Sequence, residues 1–252
     1  MKSGADGGGC FPTGRHYPGI AHLLRIVAAG LADECAGDCS MDGVPLVAID
    51  TETTGRDPEN DRVVEIACVV WKNGQIVARH DWLINPERAI PKEAFDVHGI
   101  SDDDVRDKPT FAQIAGELLG ALAGCVPCAY NAEFDRAFLM AEMTRAGRLA
   151  TTLPPALRKG IEWVDPLVWA RELHKLEKGK SLGDVCARLG IEIEKAHRAV
   201  HDAEAAVRVL AAFFADKRVP KTYAAFVQEQ RRLARLFEDE RRLWRAAPAV
   251  AS

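Results

Sequence analysis

Val47-Ala48-Ile49 is an apolar run that opens directly onto Asp50-Thr51-Glu52, and this abrupt change constrains the chain more than any other segment. Alternation along a strand puts Asp50 and Glu52 on the same face. Two carboxylates that close repel each other unless a cation lies between them, so the pair reads as half of a site for a hard metal with oxygen ligands. An isolated Asp-x-Glu is equally a solvated strand end, and the rest of the chain must decide between the two.

The surrounding pattern predicts an α/β fold. Residues 45–50, 62–71 and 75–84 read as strands, and Lys72-Asn73-Gly74 between the last two is a hairpin signal. Helical periodicity follows at 110–123, 133–147, 165–175, 181–189 and 199–215, with strands at 126–130 and 161–164. This order implies a mixed five-stranded sheet, antiparallel on one side and parallel on the other, with helices over its faces. Residues 1–18 are Gly-rich and read as a disordered leader. Ile20, Leu23, Leu24, Val27 and Leu31 predict an amphipathic helix in an N-terminal extension spanning 19–43. The main domain is drawn over 44–216. A basic amphipathic helix then occupies 217–252, with Tyr223, Phe226, Leu233, Leu236, Phe237, Leu243 and Trp244 near one stripe.

Composition excludes several classes. At 252 residues and 48% hydrophobic, the chain can bury a substantial core and is neither collagen-like nor wholly disordered. The longest uncharged stretch, Leu118 to Ala132, is too short to span a bilayer and contains Gly, Pro and Asn, so no membrane association is expected. The apolar segment 20–32 carries Arg25 and follows a Gly-rich stretch, which does not suit a secretory signal and leaves a cytoplasmic address as the expectation. Seven cysteines, at 10, 35, 39, 68, 125, 128 and 186, suit reduced thiols better than a disulfide framework. The net charge is −4, yet from Lys217 onward nine Lys and Arg face four Asp and Glu. A carboxylate-rich body with a basic tail fits an enzyme that meets phosphate through bound cations, although such a split is common elsewhere.

Two further segments tip the balance for the acidic strand. Ala129-Tyr130-Asn131-Ala132-Glu133-Phe134-Asp135 follows a predicted strand and opens a helix, and Ala196-His197-Arg198-Ala199-Val200-His201-Asp202-Ala203 opens another. Together with Asp50-Thr51-Glu52, in this order, they resemble the DEDDh (DnaQ-like) 3'-5' exonuclease family, to which the proofreading epsilon subunit of bacterial DNA polymerase III belongs. The resemblance covers about residues 45–214. Asn85-Pro86, Ile90-Pro91 and Glu93-Ala94, leading to Val97-His98-Gly99-Ile100, look like the family's substrate-facing loop. The resemblance implies a ribonuclease H-like fold in which Asp50, Glu52, Asp135 and Asp202 hold two divalent cations, Mg or Mn, and His197 is the general base. It also implies contacts to the terminal nucleotide from Thr53, Thr54, Glu93, His98, Asn131 and Phe134. Tyr130 stands where many members carry histidine, which bears on the subfamily and not on the metal site.

The residue types suit the chemistry independently. Attack of water on a phosphodiester builds negative charge on two oxygens, which two cations about 3.5 to 4 Å apart stabilise. Carboxylates are the natural ligands for Mg and Mn, and a histidine can accept the proton of the attacking water at neutral pH. The expected product is a nucleoside 5'-monophosphate. His201 is a competing histidine, but on a helix it projects about 100° from Asp202 and reads as structural.

Each nominated contact also has a plainer reading. Thr53 and Thr54 fit a turn before Gly55, His98 fits a cap of its own turn, and Asn131 and Phe134 fit turn chemistry and core packing. Cys125-Val-Pro-Cys128 reads as structural thiols, since a single such pair is a weak metal signal. Arg231, Arg232, Arg235, Arg241, Arg242 and Arg245 read as a solvated helix face, with a phosphate-steering patch as the alternative.

Three functions remain in view. The first is trimming of DNA from a free 3' end, preferentially single-stranded, for proofreading or repair alongside a polymerase subunit. The second is trimming of RNA 3' ends, and the third is a catalytically silent module that recruits a partner. Every ligand carboxylate and the histidine are present, which speaks against the third.

Overall fold

The computed structural model describes residues 39–148, 154–158, 160–194 and 197–246. The expected leader over 1–18 and most of the extension over 19–43 lie outside these residues.

Three apolar runs form an antiparallel meander: β1 (Leu46–Thr53), β2 (Val63–Lys72) and β3 (Gln75–Leu83). The β2–β3 turn is closed by Asn73 and Gly74, both at positive φ (50° and 80°). Those dihedrals match the twist of the flanking strands, which is why Asn-Gly is favoured there. The helices α1 (Lys92–His98), α2 (Asp102–Val105) and α3 (Phe111–Leu122) then cross over to β4 (Val126–Cys128), which runs parallel to β1. Sheet order is β3-β2-β1-β4.

Four strands are therefore found among the described residues, where five were expected. Val164 makes only an isolated parallel bridge to Cys128. Pro127 offers its carbonyl to the Val164 N–H, but Pro166 follows at once and begins α5 (Pro166–Leu173). A proline at the first helical position suits a helix and ends a strand. The segment 85–100, read as a loop, also contains α1, which Gly99 terminates at φ 69°.

The remaining helices are α4 (Ala132–Arg145), α6 (Leu182–Leu189), α7 (Ala199–Phe214) and α8 (Tyr223–Ala246). Alternation in β1 sorts them into two layers. Val47 and Ile49 pack with Phe111, Leu118, Phe138 and Leu139 from α3 and α4. Leu46 and Ala48 point the other way, toward Trp169, Ala203, Leu210 and Phe226 from α5, α7 and α8. Tyr223, Phe226, Val227, Leu233 and Phe237 of α8 are buried, and the Phe226 ring lies 4.7 Å from Trp169.

Cys68, Cys125, Cys128 and Cys186 are buried, and burial raises the Cys68 and Cys128 thiols far above their ordinary range. Cys39 departs from the expectation of reduced thiols, because it is disulfide-bonded. None of the described helices is long and apolar enough to cross a membrane.

Candidate active site

Asp50 and Glu52 continue the parity of Leu46 and Ala48 and so face the α7 layer. They lie at the C-terminal end of β1, beside its parallel neighbour β4, where open sheets leave a crevice. The chain leaves β4 through Tyr130 and turns at Asn131, which has φ 71° and N-caps α4. Asp135 is one turn into that helix, 3% exposed, and its Oδ1 accepts a 2.8 Å hydrogen bond from Thr51 Oγ1. The fourth acid reaches the site from α7. Asp202 Oδ2 accepts a 2.9 Å hydrogen bond from the main-chain N–H of His197, whose φ of 59° folds the chain back over the helix start.

These segments enclose a cavity of about 380 Å³ lined by Asp50, Glu52, Asp135, His197, Asp202 and Phe134, among others. One ligand atom each from Glu52, His197 and Asp202 lies within 4.8 Å of the other two. The electrostatics are those of a crowded acidic cluster. Burial, then the charges of Asp135, Glu52 and Asp202, push Asp50 well above the usual carboxylate range. Burial, then Glu65, Asp202 and Asp135, raise Glu52 to about 8. Burial raises Asp135 to about 7 against the Thr51 hydrogen bonds, and Asp202 also rises, mainly through burial. Four such groups cannot all ionise side by side unless cations join them. Their oxygen donors match what Mg and Mn require, so the residues fit the divalent ions that membership of this kind of site implies.

The other nominated residues fall into two groups. Asn131 and Phe134 line the cavity, and Phe134 packs against Phe138 with ring centroids 4.9 Å apart. Thr53, Thr54, Glu93 and His98 are not among its lining residues. Thr53 Oγ1 donates to the Gly55 carbonyl, and Thr54 Oγ1 accepts from the Arg62 N–H, so both hydroxyls serve the turn. Glu93 is exposed on α1. His98 is buried. Its Nδ1 accepts from the Ile100 N–H at 3.0 Å, which puts the neutral ring's proton on Nε2, a buried atom without a hydrogen-bond partner. Burial lowers its pKa against a raising contribution from the Thr53 main chain. His201 turns away from the acids: its Nδ1 is 3.8 Å from the Glu194 carboxylate, in a separate groove.

Three supporting residues were not nominated from the sequence. Glu65 is fully buried in β2, directly across from Glu52 in the strand register. It accepts from Arg198 Nε (2.9 Å) and Nη2 (2.5 Å) and from the Ala199 N–H (3.0 Å), so it pins the start of α7 to the sheet. A lone acid inside Val-Val-Glu-Ile-Ala-Cys-Val-Val was its signal, since buried charge demands a partner. Asp165 caps α5 through the Leu167 N–H and also accepts from the Asn131 and Ala132 N–H groups, which fixes the start of α4. Gln230 of α8, 2% exposed, accepts from the Asp165 N–H and donates to the Trp163 carbonyl. Its sequence context carried no signal of this.

Comparisons with known proteins bear on the family and the fold. The RNase T family model, described as an exonuclease, matches residues 47–210. The chain is similar to DNA polymerase III subunit epsilon of Treponema pallidum, 32% identical over 178 residues, covering 68% of this chain and 77% of that protein. It is likewise similar to the PolC-type DNA polymerase III of Thermotoga petrophila, 31% identical over 70% of this chain, but it spans only 12% of that polymerase's length. Among solved structures, exonuclease X in complex with 5' overhanging duplex DNA superposes with a TM-score of 0.55 at 26% identity, over 72% of this chain and 99% of its own. Escherichia coli exonuclease I with a dT13 oligonucleotide shares the fold, with a TM-score of 0.59 at 18% identity over 68% of this chain and 41% of its own. The acidic cavity thus lies wholly within the segment that the family model matches, and the chain belongs to the exonuclease family of nucleases.

Proposed function

We propose that this protein hydrolyses phosphodiester bonds at the 3' end of DNA and releases nucleoside 5'-monophosphates. The observation that carries the reading is the convergence of Asp50, Glu52, Asp135, His197 and Asp202, from β1, α4 and the α7 entry, on one cavity. Asp50, Glu52, Asp135 and Asp202 would hold two divalent cations, Mg or Mn, which when bound supply charge stabilisation for the attacking and leaving oxygens.

The protein's own residues do the rest. His197 accepts the proton of the attacking water, and its backbone N–H holds the Asp202 carboxylate in place. Thr51 engages one oxygen of Asp135 and leaves the other for the cavity. Asn131 and Phe134 form the wall against which the terminal nucleotide rests, and Thr53 and Thr54 at the end of β1, with Glu93 and His98 on α1, act from beside the cavity. DNA is favoured over RNA by the kinds of protein to which the chain is similar: polymerase-associated subunits, and an exonuclease seen with duplex DNA. The same similarities favour a polymerase context.

The test is digestion of end-labelled DNA and RNA oligonucleotides, single-stranded and mismatched duplex, with Mg or Mn and with EDTA. The expected result is stepwise, metal-dependent release of mononucleotides from the DNA 3' end, abolished in Asp50→Ala. Wild-type release by Asp50→Ala, or polarity from the 5' end, would overturn the assignment.

A further inference from the structure

Beside the acidic cavity lies a second one of about 340 Å³, and Asn131 lines both. Arg136 of α4, Arg171 of α5 and Arg241 of α8 open into it. Among the described residues none of the three guanidiniums makes an ion pair or a side-chain hydrogen bond; Arg171 acts on Asp165 only through space. The acids of the same cavity are mostly committed elsewhere. Glu162 is held by Arg231 at 2.7 Å and Glu238 by Arg242 at 2.7 Å, and Asp165 already accepts three main-chain N–H groups. Glu133 is left, exposed at the rim. Gln230 fastens α8 to the Trp163–Asp165 segment, so the wall that carries Arg241 is fixed relative to the other two arginines.

Resting on the exonuclease reading, we propose that this cavity binds the sugar-phosphate backbone of the substrate strand upstream of its 3' terminal nucleotide. Arg136, Arg171 and Arg241 donate to its phosphate oxygens. Guanidinium forks match phosphate geometry and are weakly hydrated, so they suit this task better than lysines. Contacts to phosphate oxygens carry no sequence information, which makes the affinity independent of sequence and sensitive to salt. Continuity through Asn131 is what identifies a strand extending from the acidic cavity as the ligand, in preference to an unrelated anion.

The full chain carrying Arg136→Gln, Arg171→Gln and Arg241→Gln together tests this, with Arg235→Gln, an exposed arginine of α8 outside the cavity, as the charge control. Two readouts are needed. Fluorescence anisotropy of a labelled 12-nucleotide oligo-dT, in an Asp50→Ala background with Mg, is followed from 50 to 200 mM salt. Turnover of the p-nitrophenyl ester of thymidine 5'-monophosphate, which occupies only the terminal-nucleotide site, is measured with Asp50 intact. The expected result is about tenfold or greater weakening of oligonucleotide binding by the triple variant. Its log–log salt slope should flatten by about two, given about 0.7 per neutralised single-strand phosphate. Ester turnover should stay within about twofold of the parent, and Arg235→Gln should flatten the slope far less than the triple variant does. An unchanged oligonucleotide affinity and slope would overturn the proposal, as would an equal loss on ester and oligonucleotide. If the parent protein hydrolysed neither substrate, the exonuclease reading would fall, whereas the anisotropy result would still judge the phosphate cavity.

Discussion

Glu52, raised to about 8 by burial and by Glu65, Asp202 and Asp135, ties the site to the stability of the fold. In the metal-free protein it holds its proton up to about pH 8, whereas an unfolded glutamate releases it near 4.5. The stability it contributes is complete below about 4.5 and is lost as pH rises through 8. Thermal melts in EDTA from pH 5 to 9 should therefore show a falling Tm, and saturating Mg should remove most of that slope. A flat profile in EDTA would mean that the acids do not crowd one another. At His197, substitution by Gln should lower kcat by about 10² to 10⁴, the range for losing a general base, with little change in Tm because the side chain is exposed. Glu65→Ala is the converse case. It strands Arg198 and the Ala199 N–H, and should cost about 1–3 kcal/mol in a denaturant titration, reduced from the fully buried figure because Arg198 is 29% exposed. Activity should fall with it, since the α7 start carries both His197 and Asp202.

At the level of elements, α8 belongs to the core it leaves the chain from. Phe226 is fully buried against Trp169 and Phe214, so Phe226→Ala should cost about 3–5 kcal/mol, read from the urea midpoint. Removing residues 220–252 would take Tyr223, Phe226, Val227, Leu233 and Phe237 out of the core together and uncover Trp169 and Phe214, so point substitutions are the cleaner probe of phosphate binding. Three of the six tail arginines are also accounted for locally, with Arg231, Arg232 and Arg242 paired to Glu162, Glu229 and Glu238. Gln230→Leu keeps the volume but strands the Asp165 N–H and the Trp163 carbonyl. It should cost about 1–3 kcal/mol and, because Asp165 holds the first N–H groups of α4, should lower the apparent affinity for Mg. Unaltered Mg dependence in that variant would show that α4 is positioned without help from α8. A second tie acts at the far end of the same helix, where Glu142, 1% exposed, accepts from Arg62 Nε at 2.7 Å and from the Val63 N–H.

Over the whole molecule, the sequence by itself determined whatever is written in local periodicity. The apolar run ending in Asp50-Thr51-Glu52 fixed a strand with two acids on one face, Asn73-Gly74 fixed a hairpin, and the helices from 111 to 214 were legible from their apolar stripes because side-chain burial repeats with the element's own period. The order of the acidic segments was legible too, as a resemblance. Tertiary structure alone decided the rest. Whether residues 161–164 make a strand depended on a neighbouring edge and on Pro166, and only one bridge formed. That Thr51 meets Asp135 across 84 positions, that Glu65 serves Arg198 across 133, and that Gln230 reaches Asp165 across 65 are facts of convergence. A hydrogen bond between distant positions leaves no period in the sequence, because it is made by the way the layers stack and not by any one element.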